Sequence, residues 1–218
     1  MERVNVQDNQ YLTKVIERAI SVLGNGGIIV YPTDTLYGIG VDALNTGALQ
    51  NVFTVKGREE QKPLSVLVSD LEMADIYVHI SPFAKKVMKR LLPGPYTFLL
   101  PRKDTVPDAL VAGGRVLGIR IPDSELCREL SRRFGRLVTA TSANISGAEN
   151  KLTIDKILTQ FGPAKESIDL VIDGGSFPPS LGSTVIDLSG DSVVIVREGD
   201  APTEKVIAVT EAVRKELS

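Results

Sequence analysis

The sequence contains few of the residue types from which several kinds of functional site are built. It has one cysteine, Cys127, so an internal disulfide is excluded. It has one histidine, His79, which excludes a histidine-rich metal site and a mechanism that needs several histidine bases. No apolar run approaches the roughly 20 residues that a membrane-spanning helix needs. We therefore expect a protein of the reducing cytoplasm that has no membrane partner.

Charge and composition are those of an ordinary globular protein. The net charge is −2 and the isoelectric point is near 5.6, so no overall attraction to nucleic acid or to anionic membranes is expected. Apolar residues make up 43 % of the chain and charged residues 24 %, which allows a sizeable core and disfavours disorder. The length fits one large domain, and we expect residues 1–218 to form a single domain.

Helical and strand patterns alternate along the chain. From Tyr11 to Leu23 the apolar residues follow the spacing of one helical face, and the next apolar run, Ile28–Tyr31, predicts a buried strand. Further strands are predicted at residues 64–68, 96–100, 116–121, 137–141, 170–172, 183–188 and 193–196. The alternation predicts the α/β class, with a mixed sheet of about seven strands flanked by helices. In such sheets ligands bind at strand ends.

Polar residues in front of apolar periodic segments predict where helices begin. Thr46, Asp70, Ser81 and Ser124 can each accept a hydrogen bond from a free N–H group of the first helical turn. The last two predicted strands form a hairpin whose turn is expected at residues 189–191.

Two segments combine flexible backbone with groups that suit a charged ligand. Residues 32–40, PTDTLYGIG, place hydroxyls, a carboxylate and glycines where a buried strand should end. Residues 56–68, KGREEQKPLSVLV, carry Lys56, Arg58 and Lys62 on one connection, and such a trio suits a polyphosphate. A surface loop with scattered charge is the alternative for each segment, and for Lys62 alone it is the favoured one. The two segments together favour a site.

Phosphates would have to be held by side-chain cations, because the chain lacks the familiar glycine-rich cradles. No GxxxxGK[ST] motif occurs, and no GxGxxG lies between a strand and a helix. Arg197 is a further candidate cation. Arg120 lies between Ile119 and Ile121 in a predicted strand, so its guanidinium either enters a pocket or needs a buried partner. We favour the pocket.

Hydroxyl-rich loops follow two other strands. In TATSANISG, residues 139–147, hydroxyls surround Asn144, and either a binding loop or a turn held by the asparagine explains them. Ser183 could line a pocket or cap its strand. Asp34 is the only acid of residues 32–40, and it suits either Mg²⁺ through water or hydrogen bonds with loop amides. No serine occupies a GxSxG elbow, which disfavours covalent hydrolysis by a Ser–His–Asp triad.

Six motifs in this order resemble those of the YrdC-like L-threonylcarbamoyladenylate synthases: PTDTLYGIG, KGR followed by KPLSVLV, GIRIP, TSANISG, GSTVID and IVREG. The resemblance runs from about Gly26 to Gly199. It implies a twisted, open α/β sheet with a large concave pocket. It also implies synthesis of threonylcarbamoyl-AMP and pyrophosphate from L-threonine, bicarbonate and ATP, with Mg²⁺ accompanying the ATP. This product serves N6-threonylcarbamoyladenosine formation at position 37 of tRNAs that read ANN codons.

The resemblance assigns roles to single residues of this chain. It implies that Thr35, Arg120, Ser183 and the Ala140 backbone bind threonine, and that Tyr37 lies at the bicarbonate or carbamate end. Lys56 and Arg58 are implied to be catalytic. The positions implied to bind ATP are Arg58, Lys62, Val116, Ser142, Asn144, Asn150 and Arg197. No metal ligand is certain.

The chain departs from the family pattern at three positions. Many members have histidine, threonine and serine where Leu67, Val116 and Asn150 stand. Contacts there are therefore expected from the backbone or not at all. The chain also ends one predicted helix beyond Arg197, which is typical of the short form of the family.

Two other functions remain open from the residues. A basic concave sheet could bind RNA, helped by basic patches at 85–90 and 128–136, although the acidic isoelectric point argues against this. A member of the family that has lost synthesis is also conceivable, although KGR and SAN are both intact. The partners implied by synthesis are a downstream threonylcarbamoyl transferase complex and a tRNA contact.

Overall fold

The computed structural model describes residues 1–6, 12–190 and 192–217, and it confirms a mixed α/β fold. Eleven strands of these residues form two sheets, five in one and six in the other. The strands are β1 Glu2–Asn5, β2 Ile29–Pro32, β3 Tyr37–Gly40, β4 Ser65–Leu67, β5 Tyr96–Pro101, β6 Val116–Arg120, β7 Val138–Thr139, β8 Thr141–Ser142, β9 Leu170–Asp173, β10 Thr184–Asp187 and β11 Val194–Arg197. The helices are α1 Leu12–Gly24, α2 Thr46–Lys56, α3 Leu71–Tyr77, α4 Pro82–Leu91, α5 Glu125–Phe134, α6 Ile154–Phe161 and α7 Thr203–Leu217. Short 3₁₀ helices cover Asp108–Val111 and Gly162–Ser167.

The prediction of one sheet with about seven strands is wrong. The strand order is β1-β9-β2-β3-β8 in one sheet and β11-β10-β5-β6-β4-β7 in the other, and both sheets contain parallel and antiparallel pairs. The strand predicted at 137–141 divides at Ala140, because β7 pairs with β4 while β8 pairs with β3. This segment therefore passes from one sheet to the other. Periodicity along one strand carries no information on such a change of partner.

Two strands were not predicted from the sequence. β1 has a polar sequence and is largely exposed, so it lacks the apolar alternation by which a strand is recognised. β3 lies inside the PTDTLYGIG segment, which forms an antiparallel hairpin with β2 instead of an open loop. Tyr11, at the predicted start of the first helix, lies outside the described residues.

The helix caps largely follow the prediction. Asp70, Ser81 and Ser124 each accept a hydrogen bond from a backbone N–H of the first turn, as expected. Thr46 is not the cap of α2, because Asn45 accepts from the backbone nitrogen of Ala48. The predicted β10–β11 hairpin is also present, with Val185 opposite Arg197. Asp191 of its turn lies outside the described residues.

Two buried apolar clusters hold the sheets and helices together. The larger one spans both sheets and includes Ile39 and Phe98, and the smaller one packs α1 and α5 against the five-stranded sheet through residues such as Leu23 and Leu130. Within the described part of the chain, no helix has the length and apolar character that crossing a membrane requires. The ends of strands from both sheets meet at the site described next.

Candidate functional site

A pocket of about 190 Å³ collects strand ends from both sheets. The five-stranded sheet contributes residues of β2, β3 and β8, and the six-stranded sheet contributes residues of β4, β5, β6, β10 and β11. The sequence-predicted residues that line it are Thr35, Tyr37, Arg58, Arg120, Ala140, Ser142, Asn150, Ser183 and Arg197. The enclosed volume suits an amino acid, whereas a nucleotide would have to extend towards solvent. The remaining predicted residues, Lys56, Lys62, Val116 and Asn144, are outside its lining.

Arg120 lies at the end of β6 with its guanidinium in the buried part of the pocket. Its side chain is 9 % exposed, and Nη2 donates to Asp34 Oδ1 at 2.9 Å and to Thr35 Oγ1 at 3.2 Å. Its Nε has no hydrogen-bond partner and is buried. The sequence offered a pocket or a buried partner for Arg120, and the structure provides both. A buried donor without an acceptor is costly, and a ligand oxygen would satisfy it.

Asp34 is held at both carboxylate oxygens. Oδ1 accepts from Arg120, and Oδ2 accepts from the backbone nitrogen of Asp123 at 3.0 Å. Of the two roles predicted for Asp34, the hydrogen bond with a loop amide is present. No group of three or more histidine, cysteine, aspartate or glutamate side chains that could hold a metal occurs in the described residues.

The β10–β11 hairpin positions Arg197 beside Ser183. Arg197 Nη2 donates to the Ser183 backbone oxygen at 2.6 Å and to Ser183 Oγ at 3.4 Å, and Ser183 Oγ lies 2.7 Å from Thr97 Oγ1. Gly199 permits this approach, because a Cβ there would lie 2.5 Å from the backbone nitrogen of Thr184. Burial, and then the charge of Arg120, lower the pKa of Arg197.

Arg58 follows α2, which ends at Gly57 in the left-handed conformation. Its Nη2 donates to the Pro63 backbone oxygen at 3.0 Å and its Nε to the Lys62 backbone oxygen at 3.3 Å. Both acceptors are neutral, and burial lowers the pKa of Arg58. Arg58 is thus a pocket cation without a carboxylate partner among the described residues.

Lys56 lies beneath the pocket and holds the SANISG segment. It is 1 % exposed, and its Nζ donates to the backbone oxygen of Ser142 and, at 2.9 Å, to that of Asn144. Asn144 in turn donates from Nδ2 to the Ala148 backbone oxygen at 2.7 Å. Burial, and then the charge of Arg58, lower the pKa of Lys56 to about 7. Lys56 therefore positions Ser142, which lines the pocket.

Of Lys56, Arg58 and Lys62, which were expected to suit one polyphosphate, only Arg58 lines the pocket. Lys62 has a side chain that is 52 % exposed and lies 3.3 Å from Glu59 Oε2. Val116 begins β6, whereas Arg120 ends it, so the strand rise separates them by roughly 13 Å. The ATP contacts implied for Lys62 and Val116 stay predictions.

Tyr37 contributes to the pocket wall with its hydroxyl already engaged. The hydroxyl donates to the Gly175 backbone oxygen at 2.7 Å and accepts from the Gly174 nitrogen at 2.9 Å. Its pKa is raised, first by burial and then by the charge of Asp173. Leu67, where many family members have histidine, is fully buried in the core beside Arg120 in the sheet and contributes no polar group.

Sequence reasoning did not single out several hydroxyl groups of the pocket, among them that of Ser65. Thr97 is buried and lines the pocket from β5, and Thr33 accepts from the backbone nitrogens of Thr35 and Leu36 at 3.1 and 3.2 Å. A signal for Thr97 was available, because it is the polar residue of an otherwise apolar predicted strand at 96–100.

Comparisons with known proteins identify the family of the chain. The family model Sua5_yciO_yrdC, described as telomere recombination, matches residues 21–199. The chain belongs to the Sua5/YciO/YrdC family. A Methanocaldococcus jannaschii relative with the provisional name threonylcarbamoyl-AMP synthase is 40 % identical over 88 % of this chain and 89 % of its own. Threonylcarbamoyl-AMP synthase of Pyrococcus abyssi is 32 % identical over 91 % of this chain and 58 % of its own.

Solved structures of the Sua5/YciO/YrdC family share the fold. Pyrococcus abyssi Sua5 complexed with L-threonine superimposes with a TM-score of 0.89 at 31 % identity, over 96 % of this chain and 61 % of that one. Escherichia coli YciO gives 0.82 at 28 % identity, over 93 % and 97 %. The chain thus spans nearly all of some relatives and about three fifths of others.

Proposed function

We propose that this chain is a threonylcarbamoyl-AMP synthase, which makes that adenylate and pyrophosphate from L-threonine, bicarbonate and ATP. The observation that carries the proposal is the pocket in which three guanidinium groups, of Arg58, Arg120 and Arg197, meet a set of buried hydroxyls. Relatives named threonylcarbamoyl-AMP synthase, at 32 % and 40 % identity over most of this chain, support it.

L-Threonine fits the inner part of the pocket. Its carboxylate would accept from Arg120, whose Nε is buried without an acceptor. The hydroxyls of Thr35, Thr97 and Ser183 line the same pocket and can bond the threonine hydroxyl and amine. The structure of Pyrococcus abyssi Sua5 in complex with L-threonine, at 31 % identity, supports L-threonine as a ligand.

ATP would be held where the pocket opens. Arg58 and Arg197 line it without acidic partners in the described ranges, and guanidinium forks suit phosphate oxygens. Ser142 and Asn150 add polar groups to the lining, and Lys56 fixes the backbone of Ser142. Lys56 thereby acts on ATP through the loop that it holds.

The residues of the pocket do not form a magnesium site of their own. Asp34 is occupied by Arg120 and by the Asp123 backbone, and no group of three or more metal-ligating side chains occurs in the described residues. Mg²⁺ would enter with the triphosphate as part of the substrate.

The chemistry needs positioning more than a protein base. The threonine amine nitrogen bonds to the bicarbonate carbon with loss of water, which gives a carbamate. A carbamate oxygen then bonds to the α-phosphorus of ATP while the bond to the β-phosphate oxygen breaks and pyrophosphate leaves. Arg58 and Arg197 stabilise the charge that builds on oxygen. Among described residues, the ionisable side chains that line the pocket are tyrosines and arginines, which suits catalysis by alignment.

The product implies partners outside this chain. A mixed carbamic–phosphoric anhydride of this kind is labile, so we propose a threonylcarbamoyl transferase as the recipient, with tRNA as the final acceptor and the cytoplasm as the compartment. A direct tRNA contact belongs to the same proposal. It would have to use a local basic surface, since the net charge is −2.

Pyrophosphate release with substrates omitted in turn tests the proposal. We expect release to require ATP, L-threonine and bicarbonate together, and mass spectrometry to find threonylcarbamoyl-AMP. Arg120→Gln should retain the fold by circular dichroism and lose more than about tenfold in kcat/KM for threonine. Release that is indifferent to threonine and bicarbonate would overturn the proposal.

A further inference from the structure

The three pocket arginines differ in the charge of their partners. Arg120 donates to the carboxylate of Asp34, whereas Arg58 donates to backbone oxygens and Arg197 to the backbone oxygen and hydroxyl of Ser183. Within the described ranges neither Arg58 nor Arg197 forms an ion pair. The pocket therefore has a charge-balanced inner end and two uncompensated cations.

The charge balance at the inner end is fixed in place. The side chains of Arg120 and Asp34 are 9 % and 7 % exposed, so solvent screens the pair little. The second oxygen of Asp34 accepts from the Asp123 nitrogen at 3.0 Å, which keeps the carboxylate from turning away from Arg120. For Arg58 and Arg197, burial lowers the pKa, and no acidic neighbour opposes that shift.

We propose that Asp34 is a specificity-determining residue that keeps phosphate groups off Arg120 and reserves it for a zwitterionic amino acid. This inference rests on the proposed function, because it assigns the two ends of the same pocket to its two charged substrates. Asp34 balances the Arg120 charge, and the phosphates are left to Arg58 and Arg197.

The charges of the two ligands support this division. An amino acid brings a carboxylate and an ammonium group, so its net charge is zero and it matches a balanced Arg120–Asp34 pair. A phosphate group carries about −1.5 to −2 at neutral pH. A phosphate bound to Arg120 would lie close to the buried carboxylate of Asp34, and repulsion between the two negative charges would weaken its binding. Without Asp34, Arg120 would be a buried cation free to take phosphate.

The unpartnered Nε of Arg120 is consistent with this arrangement. Asp34 occupies Nη2 and leaves Nε free. A ligand carboxylate can therefore bind Arg120 while the ion pair stays intact. Asp34 thus determines which anion binds to Arg120. It leaves Nε, the atom that donates to that anion, unblocked.

The test is a binding titration that needs no turnover. L-Threonine is titrated by calorimetry into the full chain with and without about 10 mM inorganic phosphate, for the wild type, Asp34→Asn and Asp42→Asn. Asp42 is a matched control, because it is also buried and pairs with an arginine, Arg136, at 2.7 Å and with the Leu44 backbone nitrogen at 3.0 Å. The arginine that pairs with Asp42 does not line the pocket, whereas Arg120, which pairs with Asp34, does.

We expect phosphate to change the threonine Kd of the wild type and of Asp42→Asn by less than about twofold. In Asp34→Asn the same phosphate should raise the threonine Kd by more than about fivefold, because phosphate now competes for Arg120. Phosphate that competes equally in the wild type and in Asp34→Asn, or in neither, overturns the inference.

Two further outcomes remain decisive. If Asp34→Asn does not fold, the titration of the wild type decides alone. Phosphate that competes with threonine for the wild type contradicts the role of Asp34. Phosphate that binds to the wild type without competing supports it. If the wild type binds no threonine, the proposed function fails separately. Titration with phosphate alone then tests Asp34, since the variant should bind one more phosphate than the wild type.

Discussion

Lys56 and Asn144, which lie 88 residues apart in the chain, are joined through one buried ammonium group that donates to both the backbone and the side-chain oxygen of Asn144. The same ammonium group donates to the backbone of Ser142, which lines the pocket. Lys56 therefore contributes to the site by fixing a loop. Its charge does not face the ligand space, which separates it from Arg58 two residues later.

The buried ammonium group of Lys56 makes stability depend on pH. Its pKa in the folded protein is about 7, below the value of about 10.5 expected when unfolded. Between these values the unfolded chain binds a proton that the folded chain lacks, so the free energy of unfolding rises with pH by up to about 1.4 kcal/mol per unit. Urea denaturation at pH 6, 7.5 and 9 measures the free energy of unfolding of the wild type and of Lys56→Met. The value for the wild type minus that for the variant should increase above pH 7. An equal pH dependence in both proteins would contradict a lowered pKa.

Arg58 and Lys62 lie in the same segment between α2 and β4. Substituting each in turn compares a cation of the pocket with a cation of the surface. Arg58→Met should raise the KM for ATP by more than about tenfold, because it removes a half-buried guanidinium from the lining. Lys62→Met removes an exposed side chain near Glu59 and should change the KM for ATP by less than about threefold. Initial-rate kinetics at saturating threonine and bicarbonate measures both. A loss at Lys62 as large as at Arg58 would mean that Lys62 reaches bound ATP.

Thr97 should act on threonine and not on ATP. Thr97→Val keeps the shape of the side chain but removes the hydroxyl that lies 2.7 Å from Ser183 Oγ. A hydrogen bond of this kind contributes about 1 kcal/mol, so its loss should raise the KM for threonine about fivefold. The KM for ATP should change by less than about twofold. Thr54→Val is the control, because Thr54 is exposed and donates to the Gln50 backbone oxygen. Equal effects on both substrates would argue for a general disturbance of the pocket.

Thr210 offers a stability test that is independent of function. Its side chain is buried in α7, and its hydroxyl has no hydrogen-bond partner. Thr210→Val replaces the hydroxyl by a methyl group of similar size, so the free energy of unfolding should increase by about 1 kcal/mol. Thermal or urea denaturation decides it, and a decrease would show that the hydroxyl is in fact satisfied.

Local chemistry made much of the fold predictable. The helix that follows Ser124 begins where it was predicted to begin, because its N-terminal cap depends on residues within the same segment. β1 escaped prediction because its stability comes from parallel pairing with β9, about 168 residues away in the chain. The division of the predicted strand 137–141 at Ala140 was not predicted for the same reason, since it depends on two partner strands in different sheets.

The sequence predicted which residues belong to the candidate site better than it predicted how they are arranged. Arg120 could be assigned to a pocket because a charged residue in an apolar strand needs an acceptor. The burial of Lys56 could not be foreseen, because it depends on carbonyl oxygens that only the folded chain brings to it. Asp34 likewise became informative only once Arg120 was found opposite it.

One pocket is expected to receive threonine at Arg120 and triphosphate at Arg58 and Arg197. A crystal structure of the chain with L-threonine, Mg²⁺ and a non-hydrolysable ATP analogue tests this most directly. We expect the threonine carboxylate within hydrogen-bond distance of Arg120 Nε and the phosphates on Arg58 and Arg197. Threonine bound elsewhere, or phosphates bound to Arg120, would contradict this division of the pocket.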